Sequence, residues 1–278
     1  MDYRSILVQV DATRGARGRV AAAARIASEM KASLTGVFLK SDLMPGFMAG
    51  EGVVAPVTAA DEFFEERRAR TAAASAAARA VFEAAARDAG MPYHWYDING
   101  DFDAELVAFA RRHDLTVLPR RMKAAFGNRT ISAEHIGMAS GGPVLLMPEG
   151  GYPADFGRRI MVAWKDTREA ARVLRDAWPF MRKAEEVCFV TVDSDSGQRL
   201  DGVLLRHLAD HGCKTVRLVV DSNEEAAAGD VLLRQIAMVG ADMAILGLFG
   251  HSRLHEFVLG GVSRSLLDNP SMPVLVSH

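Results

Sequence analysis

Four glycines punctuate the stretch GLFGHSRLHEFVLGGVS, residues 247–263: Gly247, Gly250, Gly260 and Gly261. The stretch follows the apolar run MAIL and precedes the helix-like RSLLDN. Glycine admits positive φ and lets a backbone approach an anion closely. A helix start adds unpaired N–H groups and a partial positive charge. The chemistry these residues could support is therefore a phosphate cradle, with the Ser263 hydroxyl as a further donor. Glycine-rich strand-to-helix loops also arise for packing reasons, so composition alone leaves both readings open.

Other residues with chemical potential are less organised. His207 and His211 stand four apart with Cys213 close by, a spacing that zinc accepts, but no partner cluster is visible elsewhere. His251 and His255 are also four apart, inside the glycine stretch, and read as surface residues. Cys188, within an apolar run, reads as an inert buried thiol. EHIGM at 134–138 has the wrong context for a nucleotidyl-transfer signature. No nucleophile elbow, zinc-protease pair or Walker lysine loop occurs.

The elements that must position these residues repeat. SILVQVDATRGARGRVAAAARIA (5–27) reads as buried strand, turn and amphipathic helix, and RIMVAWKDTREAARVLRDA (159–177) reads the same way. Further strand-like runs match in order: 34–39 with 187–192, 93–98 with 215–220, and 115–119 with 243–248. Each copy closes on Pro-Val-Leu, in GGPVLLMP (141–148) and SMPVLVSH (271–278). Short apolar strands alternating with helices predict an α/β fold of tandem doubly wound domains, each with a mostly parallel sheet. The expected domains are 1–150 and 157–278, joined by the Gly- and Pro-bearing linker EGGYPADFG (149–157). Residues 41–59 read as a surface loop, followed by a long Ala-rich helix over about 60–89 that packs on the sheet. The closing strands, each begun by proline, read as edge strands able to pair the two copies within one chain.

Composition bounds the function. The chain has 278 residues and a net charge of −2, so no basic patch points to nucleic acid. No apolar run approaches the length of a membrane span. The N-terminus lacks the pattern of a secretory leader, and two unpaired cysteines fit a reducing cytoplasm.

Gly247-x2-Gly250-x9-Gly260, followed by GVS and the terminal PVLVSH, resembles the nucleotide-binding pattern of the universal stress protein family. The resemblance covers both copies, with the glycine motif confined to the second. It implies an adenine nucleotide alpha hydrolase-like fold with five-stranded sheets that holds ATP or AMP, with or without Mg2+. Carried over, the nucleotide-binding positions are Ala163, Trp164 and Lys165 after the first strand and Val192 after the second. Gly247, Gly250, Gly260, Gly261, Val262 and Ser263 form the loop. Asp11 and Val37 would mark a degenerate first-copy site.

The sequence departs from the family pattern in three places. Lys165 stands where the family has Asp, and a cation accepts no ribose hydroxyl, though it can pair with phosphate. Gly261 stands where the family has Ser or Thr. In the first copy Asp11 is present, but Pro119, Arg120, Arg121 and Lys123 replace the glycine spacing and read as a solvated basic loop. The expected function is a nucleotide-binding stress regulator that acts on a protein partner. The alternatives are an interaction scaffold without nucleotide, or a slow ATPase, which the missing Asp disfavours. Dimerisation of the whole chain is left open.

Overall fold

The computed structural model describes residues 2–40, 57–99, 102–123, 130–150, 152–192, 202–221, 228–248 and 272–278. In the first half the order is β1 (Ser5–Gln9), α1 (Ala16–Met30), β2 (Ser33–Lys40), α2 (Val57–Asp88), β3 (Tyr93–Asn99), α3 (Phe102–Ala110) and β4 (Leu115–Pro119). Then come β5 (Arg121–Lys123), β6 (Thr130–Ser132), α4 (Ala133–Ser140) and β7 (Val144–Met147). The second half has β8 (Arg159–Ala163), α5 (Arg168–Asp176), α6 (Trp178–Met181), β9 (Glu186–Val192), α7 (Gly202–Asp210) and β10 (Val216–Asp221). It continues with α8 (Ala228–Val239), β11 (Met243–Gly247) and β12 (Val274–Ser277).

Ten strands form one sheet in the order β10-β9-β8-β11-β12-β7-β4-β1-β2-β3. Each half is doubly wound and parallel within itself. The chain moves outward through two strands, then crosses back to the other side of its first strand. The halves meet where β12 pairs antiparallel with β7, Leu275 opposite Leu145. The closing strands are thus not edges: their pairing places them at the centre of the sheet. The antiparallel join also reverses direction, so the carboxyl ends of β1 and β4 point opposite to those of β8 and β11.

The strand sequences follow from burial on both faces. SILVQ, LTVLP and MAILG are almost wholly buried, as strands covered by helices on both sides must be. Alternation sends Ile6, Val8, Ile160 and Val162 into a core beneath α1, α2, α5, α6 and α7. It sends Leu7, Met161 and Leu246 into a second core beneath α3, α4 and α8. Both cores run through both halves. The long helix α2 packs on the first of these, with Phe82 fully buried against Trp95, ring centroids 5.4 Å apart.

Two repeated devices were not read from the sequence. Asp114, just before β4, accepts the backbone N–H groups of Arg4 and Ser5 at 2.7 and 2.9 Å. Asp242, just before β11, accepts those of Gly157, Arg158 and Arg159 at 2.9, 3.2 and 3.1 Å. Each carboxylate fixes the start of its half's first strand. The basic stretch after β4 also departs from a plain loop: Arg121 and Lys123 lie in β5, paired antiparallel with β6.

Asp97 on β3 ties three elements, accepting from Ser75 of α2 at 2.6 Å and pairing with Lys40 of β2 at 2.8 Å. Burial pushes its pKa up, but the hydrogen bonds from Lys40 and Ser75 and the Lys40 charge outweigh that, so it lies below the ordinary carboxylate value. A carboxylate depressed in the folded state stabilises above its unfolded pKa, and that contribution is lost as pH falls through the folded value. Asp97→Asn is therefore expected to lower stability at neutral pH and to reduce its loss on acidification below about pH 4. Urea unfolding at several pH values reads both effects; an unchanged acid limb would remove Asp97 from the account.

Candidate ligand site at the carboxyl edge of the second half

In an open α/β sheet the ligand crevice lies outside the carboxyl ends of the strands, where the winding reverses. In the second half that point falls between β8 and β11. Ala163 ends β8 there, opposite Leu246 on one side and Val190 on the other. Trp164 follows; its N–H donates to the Val190 carbonyl at 2.9 Å, and its ring meets Phe189 edge-on at 5.9 Å. Lys165 is exposed, and its carbonyl accepts the Thr167 N–H at 2.7 Å. Thr167 then caps α5, its hydroxyl accepting from the Ala170 N–H at 3.3 Å. Thr191, beside Val192 at the end of β9, is 2% exposed, and its hydroxyl has no hydrogen-bond partner among the described residues. An orphaned buried hydroxyl at this edge fits a site that holds a polar ligand.

Gly247 ends β11, where a Cβ would lie 2.8 Å from the Glu169 carbonyl carbon and 2.9 Å from the Ala170 nitrogen. The glycine lets β11 press against the first turn of α5. Close backbone packing is therefore one role of this glycine. Gly250, Gly260, Gly261, Val262 and Ser263 lie outside the described residues, as do His251 and His255.

Strand register identifies counterparts between halves. Gln9 faces Val37 as Ala163 faces Val190, and Pro119 faces Met147 as Gly247 faces Ser277. Val37 therefore corresponds to Val190, and Val192 to Leu39: the two second-strand positions expected from the sequence are not a matched pair. The Val37 carbonyl is already taken by the Val10 N–H at 2.8 Å. Asp11 and Lys165 do correspond, and Pro119 stands at the position of Gly247.

The first-half edge is organised around a residue that the sequence reading passed over. Arg19, on α1, is 2% exposed. Its guanidinium pairs with Asp11 at 2.9 Å and donates to the Gln9 carbonyl and side-chain oxygen at 2.7 and 3.1 Å. Burial lowers the Arg19 pKa and Asp11 opposes that shift. Asp11 also accepts from the Thr13 N–H at 2.9 Å and from the Thr13 hydroxyl. The carboxylate that would serve a ligand is thus engaged by its own chain. An arginine in the Ala-rich buried stripe of α1, eight residues after Asp11, was the signal that could have revealed it.

The histidine pair belongs elsewhere. His211 stacks on Trp178 with centroids 4.1 Å apart and planes 7° apart, and His207 meets His211 at 4.6 Å. Among the described residues no group of three His, Cys, Asp or Glu side chains converges. Cys188 and Cys213 are buried, and burial raises both thiol pKa values. No described helix is long and apolar enough to cross a membrane.

No protein-family model matches the chain, and no curated protein does. Solved structures do. A universal stress protein from Archaeoglobus fulgidus DSM 4304 superposes with a TM-score of 0.75 at 15% identity, covering 98% of this chain and 95% of that one. The chain shares the fold of that universal stress protein. A functionally unknown protein from Pseudomonas aeruginosa PAO1 also matches, with a TM-score of 0.54 at 15% identity over 99% of this chain and 92% of that one.

Since the room at position 247 is closed by backbone, Gly247→Ala is expected to destabilise the fold by roughly 1–3 kcal/mol through overpacking. Urea unfolding of the two proteins without added nucleotide measures it. Equal stability would return Gly247 to the phosphate loop.

Proposed function

We propose that this chain is a universal stress protein that binds an adenine nucleotide, ATP or AMP, at the carboxyl edge between β8 and β11, and acts by binding rather than turnover. The observation that carries the reading is the spacing Gly247-x2-Gly250-x9-Gly260 running on directly from β11, at the reversal point of the second half. The orphaned Thr191 hydroxyl supports a polar ligand at the same edge. Bound there, the nucleotide supplies a triphosphate or monophosphate anion and an adenine ring. Gly250, Gly260, Gly261, Val262 and Ser263 would meet the phosphates with backbone N–H groups and one hydroxyl. Ala163, Trp164 and Val192 would line the ribose and base. Lys165 brings a cation where a carboxylate would bind ribose or a metal, so it favours phosphate pairing and leaves Mg2+ without that ligand. Occupancy would shift affinity for a protein partner by no more than the nucleotide's differential affinity for the two states. The cysteine chemistry fits a cytoplasmic setting.

Lys165 also supports a second reading, a scaffold of the same fold that holds no nucleotide. The test separates the two. Purified chain is denatured and its supernatant analysed by mass spectrometry, beside Gly260→Val. Then nucleotide-free protein of each form is titrated with ATP and AMP. The proposal predicts an adenine nucleotide carried through purification or bound on titration, with affinity at least tenfold weaker in the variant, about 1.4 kcal/mol. No binding by the unaltered chain, or equal binding by both, would contradict it.

A further inference from the structure

The linker between the halves lies along α1 rather than hanging free. A Cβ on Gly15, at the start of α1, would lie 3.3 Å from the Glu149 carbonyl oxygen, so linker backbone crosses the helix's first residues. One turn on, a Cβ on Gly18 would lie 2.8 Å from the Tyr152 hydroxyl. Farther along the same helix, the Arg25 guanidinium covers the Phe156 ring at 4.7 Å and donates to the Phe156 carbonyl at 3.2 Å. Tyr152 and Phe156 meet edge to face at 5.9 Å, and Phe156 is 2% exposed. The Asp242 carboxylate then holds Gly157 and Arg158, so the linker is fixed beyond the helix as well.

Gly15 at the N-cap and Gly18 in the first turn open a notch in the surface of α1, and Gly18 does so at a cost in helix propensity. Here the notch is occupied by the chain's own linker. It lies at the start of the helix whose Arg19 holds Asp11, at the edge that corresponds to the proposed nucleotide site of the other half. Tyr152 also interacts with Arg19 electrostatically, so the strap and the buried ion pair are neighbours.

We infer that Glu149, Tyr152 and Phe156 form an intramolecular strap that docks in the Gly15–Gly18 notch and holds the first-half edge closed. The closed edge has its carboxylate neutralised by Arg19 and its helix start covered by chain. The inference rests on packing alone and stands whether or not the second half binds nucleotide.

Hydrogen exchange of the full chain, read by mass spectrometry, tests it with Gly18→Ala and Tyr152→Ala. Alanine is the better helix former, so without a docked strap Gly18→Ala would slow exchange in α1 and leave the linker unchanged. With the strap docked, the added methyl displaces Tyr152, and the buried Phe156 amide, which donates to the Pro153 carbonyl at 3.3 Å, exchanges at least tenfold faster while α1 stays protected. Tyr152→Ala is expected to speed exchange of the same amide and at the first turns of α1, with β9 unchanged as a control for folding. A Phe156 amide that already exchanges rapidly in the unaltered chain, or that does not respond to Gly18→Ala, would overturn the strap.

Discussion

The antiparallel pairing of β7 with β12 is the constraint on which the rest depends. Two five-stranded sheets, each left alone, would expose an apolar closing strand, and exposed edges invite unwanted pairing. Val144, Leu145 and Leu146 against Val276, Leu275 and Val274 convert both edges into the middle of one sheet. Both cores become continuous across the join. The reversal of direction also separates the two carboxyl edges onto opposite sides, so each half can evolve its edge without steric reference to the other. Contacts outside the sheet reinforce the join. Tyr3 donates to the Asp176 carbonyl, and Lys183 pairs with Glu29 at 3.0 Å.

From that shared frame the halves diverge by exchange of a few groups at equivalent positions. Asp11 corresponds to Lys165, Gln9 to Ala163 and Pro119 to Gly247. In the first half, Gln9 and Asp11 together satisfy the buried Arg19, whose desolvation would otherwise be costly. In the second half Ala163 and exposed Lys165 offer no such partners, and the Thr191 hydroxyl has no hydrogen-bond partner among the described residues. One edge has turned its polar groups inward to each other. The other has left polar capacity beside a glycine-rich segment.

Much of the frame was legible in the sequence because period and burial are local properties. The apolar run 115–119 matches its strand residue for residue, and the Pro-Val-Leu repeats marked the strands that join the halves. Register was not legible, since it depends on pairing between distant segments; hence Val37 and Val192 were taken at unequal depths of their strands. Arg19 was missed because charge normally marks a solvated face, and only the fold reveals that Asp11 and Gln9 converge on it. The packing role of Gly247 was not legible, because the sequence shows a strand-end glycine but not the α5 backbone pressed against it. Asp114 and Asp242 carry no motif, yet each fixes a strand start through backbone contacts that only three dimensions display.

The two edges are asymmetric: the first is engaged by its own chain, and the second is the proposed nucleotide site. The most direct measurement of that asymmetry is the stoichiometry of ATP binding to nucleotide-free full-length protein by calorimetry, repeated with Asp11→Ala. The account predicts a single site per chain and the same affinity in the variant. Two sites per chain, or a site lost with Asp11, would place nucleotide in the first half and contradict it.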